Sequence, residues 1–524
     1  MPGYRLYITI FLITLFFITL VFINPAAAEM KVKGISIIGI EELRPGMRGY
    51  GLTVFKGTEP EKFKVEVVDI VAGQIPGKKN ILIKTEEKRH LFGSGVSGSP
   101  VYFDNRLAGA IYATEEYQIE NILHVMPIQN MLDELEKVIT VFDDKNSTSV
   151  DQNVPSTDKN GAPDISVISV NNFKAVSAPK AGEMIFVPLV RGDIWIGSAG
   201  TVTTVDGNIL LAFGHPNLFT GDNIILPMHK ANVNSTIPKM NLSYKMAAGL
   251  AEIGAVVWDG KQAIIGQIGR KASMIPLKVS LKTLNSPEAK IYNMEIIRKS
   301  QLISKLIGTV ISSLITSNIN ASTKEQAISV NYSMKINGLK GDATFSQRYD
   351  ADSIKGDTGP LVSGLILTTL FNGLGDKYVP DDISIGIEEL ADGRTGNIRK
   401  ADFNKSTAHA GDTVTLNVEI EHSLDERMVV PIEIVIPEGF NGTFPVSVVP
   451  GNKVRPSEVS PDYAILTVDW LKGVLRSDDV VVMFPSGARA TAFYPISRID
   501  RTVIRLPWAV TGASDATINI IDAR

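Results

Sequence analysis

The residues best suited to covalent chemistry lie in Gly95–Pro100, which reads Gly-Val-Ser-Gly-Ser-Pro. A serine between glycines on a tight loop is presented without crowding, because glycine reaches backbone angles closed to other residues. Two backbone N–H groups of such a loop, those of Gly95 and Ser97, can face one point and hold an oxyanion during acyl transfer. Ser97 and Ser99 both stand as candidate nucleophiles. The same six residues also read as a plain turn, since strand-like VYF, the turn Asp104-Asn105 and a second strand, LAGAIYA, follow at once.

A serine hydroxyl needs a base to take its proton, and the chain has 6 histidines. His215 ends the strand pattern NILLAFGHP, where Pro216 blocks further ladder pairing and leaves the imidazole at a strand rim. His90, in KRHLFGSG, is near Ser97 in sequence and is the alternative base, although its basic neighbours suit a solvated turn. His124 precedes the helix that starts near Pro127 and reads as a packing or capping residue, and His229, in LPMHKAN, as a strand-surface residue with cleft lining as its alternative. His409 and His422 read as surface or turn residues. No His/Asp/Glu spacing suits a metal, and no glycine-rich phosphate loop links a strand to a helix, so neither metal nor cofactor is expected.

These residues must be positioned by a long, β-rich chain. At 524 residues and 44% apolar content it exceeds one ordinary core and should divide into three or four domains. A net charge of −4 from 52 basic and 56 acidic residues supplies no basic field for nucleic acid or an acidic membrane. With 0 cysteines there is no disulfide, thiolate metal site or cysteine nucleophile. Residues 1–28 carry Arg5, an apolar run from Leu6 to Ile23 and a small-residue exit at Ala26-Ala27-Ala28, the pattern of a secretory signal peptide cleaved after Ala28. Left uncleaved, that run is the chain's one expected membrane contact. The rest is expected to be exported and soluble in the periplasm or cell envelope.

Residues 29–142 read as an antiparallel β block closed by a helix, with Ile128, Met131, Leu132, Leu135 and Val138 on its apolar face and Asp133, Glu134, Glu136 and Lys137 facing water. Residues 143–163 are polar with Gly and Pro and read as a linker. A second β block covers 164–294, with a hairpin turning at Asp206-Gly207. In the connector 295–377 the apolar spacing predicts a helix over 301–316, a strand over 327–336 and a buried helix over 360–371. Residues 378–524 return to short strands and suggest an immunoglobulin-like sandwich.

GVSGSPVYFDNRLAGAI resembles the GMSGSP signature of the SpoIVB-type serine peptidases, a family of the chymotrypsin-like clan, and GMRGYGLTVFKG with FKVEVVDI looks like the strands before it. LLAFGHP resembles the family's LGH motif, and AEIGAVVWDGKQAIIGQIG the strands after it. The likeness covers about residues 40–115 and 195–280. It implies two chymotrypsin-like antiparallel β-barrels and an exported serine endopeptidase acting on protein or peptide. Ser97 matches the nucleophile, preferred over Ser99 by its place in the signature; His215 matches the base, and the N–H groups of Gly95 and Ser97 the oxyanion hole. Three departures stand out: the serine block precedes the histidine block, as in a circular permutation; no peptide-binding domain of the PDZ type is evident; and no aspartate lies just before the serine. Glu86 is the nearest match to the acid, with Glu87 beside it and Asp222 as a candidate from the other side. A catalytically degenerate scaffold or binding protein of the envelope is the alternative.

Overall fold

In the computed structural model the chain is mainly β, with one closed six-stranded barrel, further sheets and two long helices. The structure describes residues 35–521 except 74, 88–91, 116–119, 147–176, 219–224, 287, 320–326, 337–341, 351–366, 369, 372–374, 376–377, 392–394, 423–425, 455–474 and 486–498. The signal segment, nearly all of the predicted linker, His90 and Asp222 therefore lie outside the described residues. The chain divides into two compact units, the first holding residues up to Thr157, Ala162–Pro188 and Gly197–Ala272.

In the first unit, β1 (Arg48–Thr53), β2 (Glu61–Ala72), β3 (Lys79–Thr85), a two-residue β4 (Gly93–Ser94), β5 (Pro100–Phe103), β6 (Arg106–Thr114) and β7 (Asn121–Pro127) lead into helix α1 (Ile128–Asn146). All but β4 close the barrel in the order β1-β2-β3-β7-β6-β5. Its strands read as alternating apolar residues, and Phe63, Val65, Val67, Ile81, Ile83 and Val96 fill its interior. The expected hairpin between β5 and β6 is formed. Asp104 and Asn105 take φ of 51° and 57°, the paired left-handed angles whose twist matches two antiparallel strands.

The strands β8 (Met184–Gly192), β9 (Ile196–Asp206), β10 (Ile209–Ala212), β11 (Leu226–Ile237), β12 (Ser243–Asp259) and β13 (Ile264–Ile268) follow. They pair in the order β8-β9-β10-β13-β12-β11, and β11 returns to β8 with His229 opposite Phe186 and Lys230 opposite Ile185. Helix α1 and the two strand systems share an apolar cluster containing Leu107, Met126, Met131, Leu211, Trp258 and Ile265. The helix departs from expectation on its polar face. Glu134 is buried rather than in water, because it accepts the indole N–H of Trp258 at 3.1 Å and an ammonium hydrogen bond from Lys137 at 3.3 Å. A buried indole donor needs an acceptor, and that need outweighs the helix's polar stripe.

The second unit contains β14 (Met274–Lys282), β15 (Lys290–Ile297), helix α2 (Ser300–Asn318), β16 (Ala327–Ile336), β17 (Ala343–Asp350) and β18 (Pro380–Leu390). β15 pairs with β8, with Met294 opposite Gly192, and β14 pairs with β15 on one side and runs parallel to β18 on the other, with Leu277 opposite Ile383. The predicted helix over 301–316 is α2, whose buried face is Ile303, Leu306, Ile307, Val310, Ile311 and Leu314. The predicted strand over 327–336 coincides with β16. Of the predicted helix over 360–371, Leu367, Leu370 and Phe371 are helical and buried; most of its remainder lies outside the described residues.

The C-terminal strands are β19 (Thr395–Phe403), β20 (Thr407–Ala408), β21 (Thr413–His422), β22 (Arg427–Val435), β23 (Gly442–Pro450), β24 (Asp479–Pro485), β25 (Ile499–Arg505), β26 (Ala509–Gly512) and β27 (Ser514–Ile520). They form one sheet ordered β22-β21-β19-β26 and another ordered β20-β27-β23-β24-β25. A single core takes Val414, Leu416 and Val418 from the first and Phe444, Val446 and Val482 from the second.

Candidate active site

The turn after β4 is fixed by its own sequence. Gly95 and Gly98 take φ of 97° and 92°, angles that suit glycine. Val96 is buried in the barrel core and anchors the turn from within. Its N–H donates to Gly93 O at 3.2 Å, the Ser99 N–H to Val96 O at 3.0 Å and the Gly98 N–H to Ile111 O at 2.7 Å. Between these bonded neighbours, neither the N–H nor the hydroxyl of Ser97 has a hydrogen-bond partner among the described residues, and the residue is half-buried. A donor and a hydroxyl are thus left unpaired at the tip of a rigid turn.

Ser99 is placed otherwise. It is wholly buried, and its hydroxyl lies 2.9 Å from Thr53 Oγ1 and 3.4 Å from Thr201 Oγ1. A substrate carbonyl has no access to it, whereas Ser97 is half-buried.

The turn is seated against the strands that carry the histidine. Ser97 O accepts the Thr201 N–H at 2.7 Å, Gly95 O the Thr201 hydroxyl at 3.1 Å and Gly98 O the Thr203 hydroxyl at 2.8 Å. A Cβ on Gly98 would stand 1.9 Å from Thr201 O and 2.6 Å from Phe213 N, so only glycine permits this approach. Phe213 lies two residues before His215.

At the end of β10 the backbone bends sharply. Phe213 has a φ of 69° and Gly214 one of 72°. For a bulky residue such an angle costs about 1–3 kcal/mol and persists only where packing imposes it. Here the buried ring of Phe213 lies so close to Gly200 that a Cβ there would meet it at 2.4 Å. His215 follows, half-buried, with Nδ1 at 2.6 Å from Pro216 O. A carbonyl only accepts, so Nδ1 carries the proton and Nε2 holds the bare lone pair. Burial pushes the imidazole below its usual pKa, against the opposing pull of the Pro216 hydrogen bond and the charge of Asp259. His215 is therefore neutral at pH 7, in the tautomer a general base requires.

Asp259, buried at the end of β12, accepts the Asn217 N–H on Oδ1 at 2.6 Å and the Leu218 N–H on Oδ2 at 2.8 Å. It holds the turn that presents His215 and places a negative charge near the ring. Sequence reasoning missed it. Its signal was Trp258-Asp259-Gly260 at a strand end, read only as part of a strand run.

Glu86, expected as the acid, is exposed and has no hydrogen bond or ion pair among the described residues; Glu87 is exposed too. The end of β3 is tied elsewhere: the Glu87 N–H donates to Thr85 Oγ1 at 3.3 Å, and Asn121 Nδ2 donates to Glu87 O. Among the described residues the carboxylate whose charge acts on His215 is Asp259.

Ser97 and His215 share no hydrogen bond, although their supporting backbones are packed together. Beside His215 a cavity of about 280 Å3 is walled by Tyr112, Met126 and Asn80 on one side and Pro216 and Gln262 on the other. Ser97 is not on its wall. Within it Asn80 Nδ2 donates to the Tyr112 hydroxyl at 2.5 Å, and burial raises that phenol's pKa.

Three of the other histidines have partners among the described residues, and the side chain of His422 lies outside them, as His90 does. His124 Nε2 pairs with Glu115 at 2.8 Å, His229 Nδ1 donates to Leu250 O at 2.8 Å from a buried position, and exposed His409 lies 3.7 Å from Asp412. His229 thus lies within a strand pairing, not on the strand surface. The chain matches no protein-family model, and no curated protein matches it.

Proposed function

We propose that the protein is an exported serine endopeptidase with a reaction centre at Ser97 and His215. The observation that carries this reading is the turn itself: among the described residues the N–H and hydroxyl of Ser97 have no partner, and the turn is packed against a strand end bearing a histidine whose Nε2 has none there either. In the reaction, Nε2 takes the Ser97 proton as Oγ bonds to the peptide carbonyl carbon. The Ser97 N–H, with that of Gly95, stabilises the oxyanion. The imidazolium returns the proton to the departing amine as the C–N bond breaks, and water then hydrolyses the ester by the same route. Asp259 steadies the imidazolium through its charge. The two six-strand rings would then be a chymotrypsin-like pair, the C-terminal sheets an immunoglobulin-like sandwich, and the setting the periplasm or envelope.

An extended peptide suits the surroundings. β4 pairs with β12 only at Ser243 and Tyr244, and β13 joins it only from Gly254. From Met246 to Glu252 the side of β12 facing away from β11 carries no strand among the described residues, and it begins where the Ser97 turn leaves the sheet. Met246 and Leu250 are exposed there. A substrate strand added to this edge gains main-chain hydrogen bonds and apolar contact.

The missing hydrogen bond between Ser97 and His215 favours a second reading, a peptidase-like scaffold of the envelope that has lost catalysis. Free enzymes often hold such pairs loosely and tighten them on substrate. A fluorophosphonate probe separates the two readings. Labelling of the full-length protein that disappears in Ser97→Ala and His215→Gln is expected; equal labelling of native protein and Ser97→Ala rules the reaction centre out.

A further inference from the structure

Lys245 occupies a buried position on β12, between half-buried Tyr244 and exposed Met246, where strand alternation calls for an apolar side chain. Its Nζ donates to Thr53 Oγ1 at 2.7 Å and lies 5.8 Å from the centre of the Phe55 ring. It pairs with no carboxylate among the described residues. A buried cation without a counter-ion is costly, and an apolar residue in its place is commonly neutral or stabilising, so cohesion alone does not account for it.

The bonds beyond Thr53 lead to the nucleophile turn. Thr53 and Ser99 hydroxyl oxygens lie 2.9 Å apart, Ser99 and Thr201 3.4 Å apart, and the Thr201 hydroxyl donates to Gly95 O at 3.1 Å. Each hydroxyl has one proton. With Lys245 charged, one order uses all of them: Lys245 donates to Thr53, Thr53 to Ser99, Ser99 to Thr201 and Thr201 to the Gly95 carbonyl. The stem of Lys245 also lies beneath Gly95, where a Cβ would meet its Cβ, Cγ and Cδ at 3.2 to 3.4 Å.

The geometry points to Lys245 as a positioning residue for the Ser97 turn: through Thr53, Ser99 and Thr201 it fixes the Gly95 carbonyl and with it the direction in which the Ser97 N–H and hydroxyl face. The orientation of the turn follows from the bonds alone; its use in acyl transfer rests on the reading proposed above.

Burial, with no charged group contributing, lowers the amine to about 7. The groups around it are the hydroxyls of Thr53, Ser99 and Thr201 and the Phe55 ring, none of which titrates in this range. Burial favours the neutral amine in the folded protein, and a neutral amine still carries two N–H groups, so it donates to Thr53 and keeps the same order of hydroxyl bonds.

The test compares the full-length protein with Lys245→Met, which keeps the stem, and with Ser99→Ala, which cuts the chain without changing charge. Amide hydrogen exchange over residues 92–101, corrected for intrinsic rate, should slow in the native protein between about pH 6 and about pH 8, as the buried amine loses the proton that burial disfavours. Both variants should exchange about tenfold faster than the native protein at about pH 8, Lys245→Met without the pH dependence, and both should take the fluorophosphonate at Ser97 more slowly. If exchange over the turn is the same in the native protein and Lys245→Met at both pH values, the positioning role is overturned. If Lys245→Met does not fold, Ser99→Ala decides by the same comparison. If the native protein takes no label at Ser97, the peptidase reading fails alone and the exchange result still decides the role of Lys245.

Discussion

The two turns that meet in the first unit are held by opposite means. The Ser97 turn is set by hydrogen bonds from backbone and hydroxyl groups, with Lys245 at the far end of the hydroxyl chain, and by close approach, with glycines at the points of contact. The His215 turn is set by a buried carboxylate and a left-handed Phe213. The first tolerates no added bulk, and the second no lost charge. Under the proposed reaction the serine faces a substrate from an immobile support, whereas the histidine changes charge and needs a counter-charge already in place.

Gly98→Ala should break the comparison most severely. Its methyl group would meet Thr201 O, and the residue sits at a φ of 92°. A loss of about 3–5 kcal/mol is expected, read as a fall in the midpoint of urea unfolding together with loss of Ser97 labelling. Asp259→Asn comes next. The amide cannot accept both N–H groups as the carboxylate does, so about 2–3 kcal/mol of stability should go. Removing the charge also takes away one influence that raises the His215 pKa, so the rising limb of the pH profile of Ser97 labelling should move to lower pH. An unshifted limb would mean that Asp259 serves the turn alone.

The pH dependence of stability sharpens the contrast further. His215 has a folded pKa below its unfolded value, so its neutral form favours folding and stability falls as pH drops from above 6.5 through the folded pKa. Chemical denaturation at stepped pH should show this decline in the native protein and a smaller one in His215→Gln. Glu86→Ala, the smallest effect, should change stability by less than about 0.5 kcal/mol and leave labelling intact.

Much of the fold was legible where a local rule had no competitor. Asp104-Asn105 named its own hairpin, Pro216 ended the strand before the histidine, and the strict alternation of 327–336 predicted β16 residue for residue. The site was half legible. Ser97 and His215 carry recognisable neighbours, but Asp259 acts on a loop 42 positions away and looks locally like a turn residue. Lys245 reads as an ordinary charged residue of an alternating strand, because its burial is decided by Thr53 on another strand. Glu134 was misread for the same reason, since its partner Trp258 is 124 positions away.

The Ser97 turn rests on Thr201 and Phe213, both supplied by chain that is synthesised later. A polypeptide emerging amino end first therefore exposes its serine before anything exists to brace it. The turn is braced only once the following strands have arrived, so a product truncated ahead of Thr201 lacks both supports and offers no seat for the reaction proposed at Ser97.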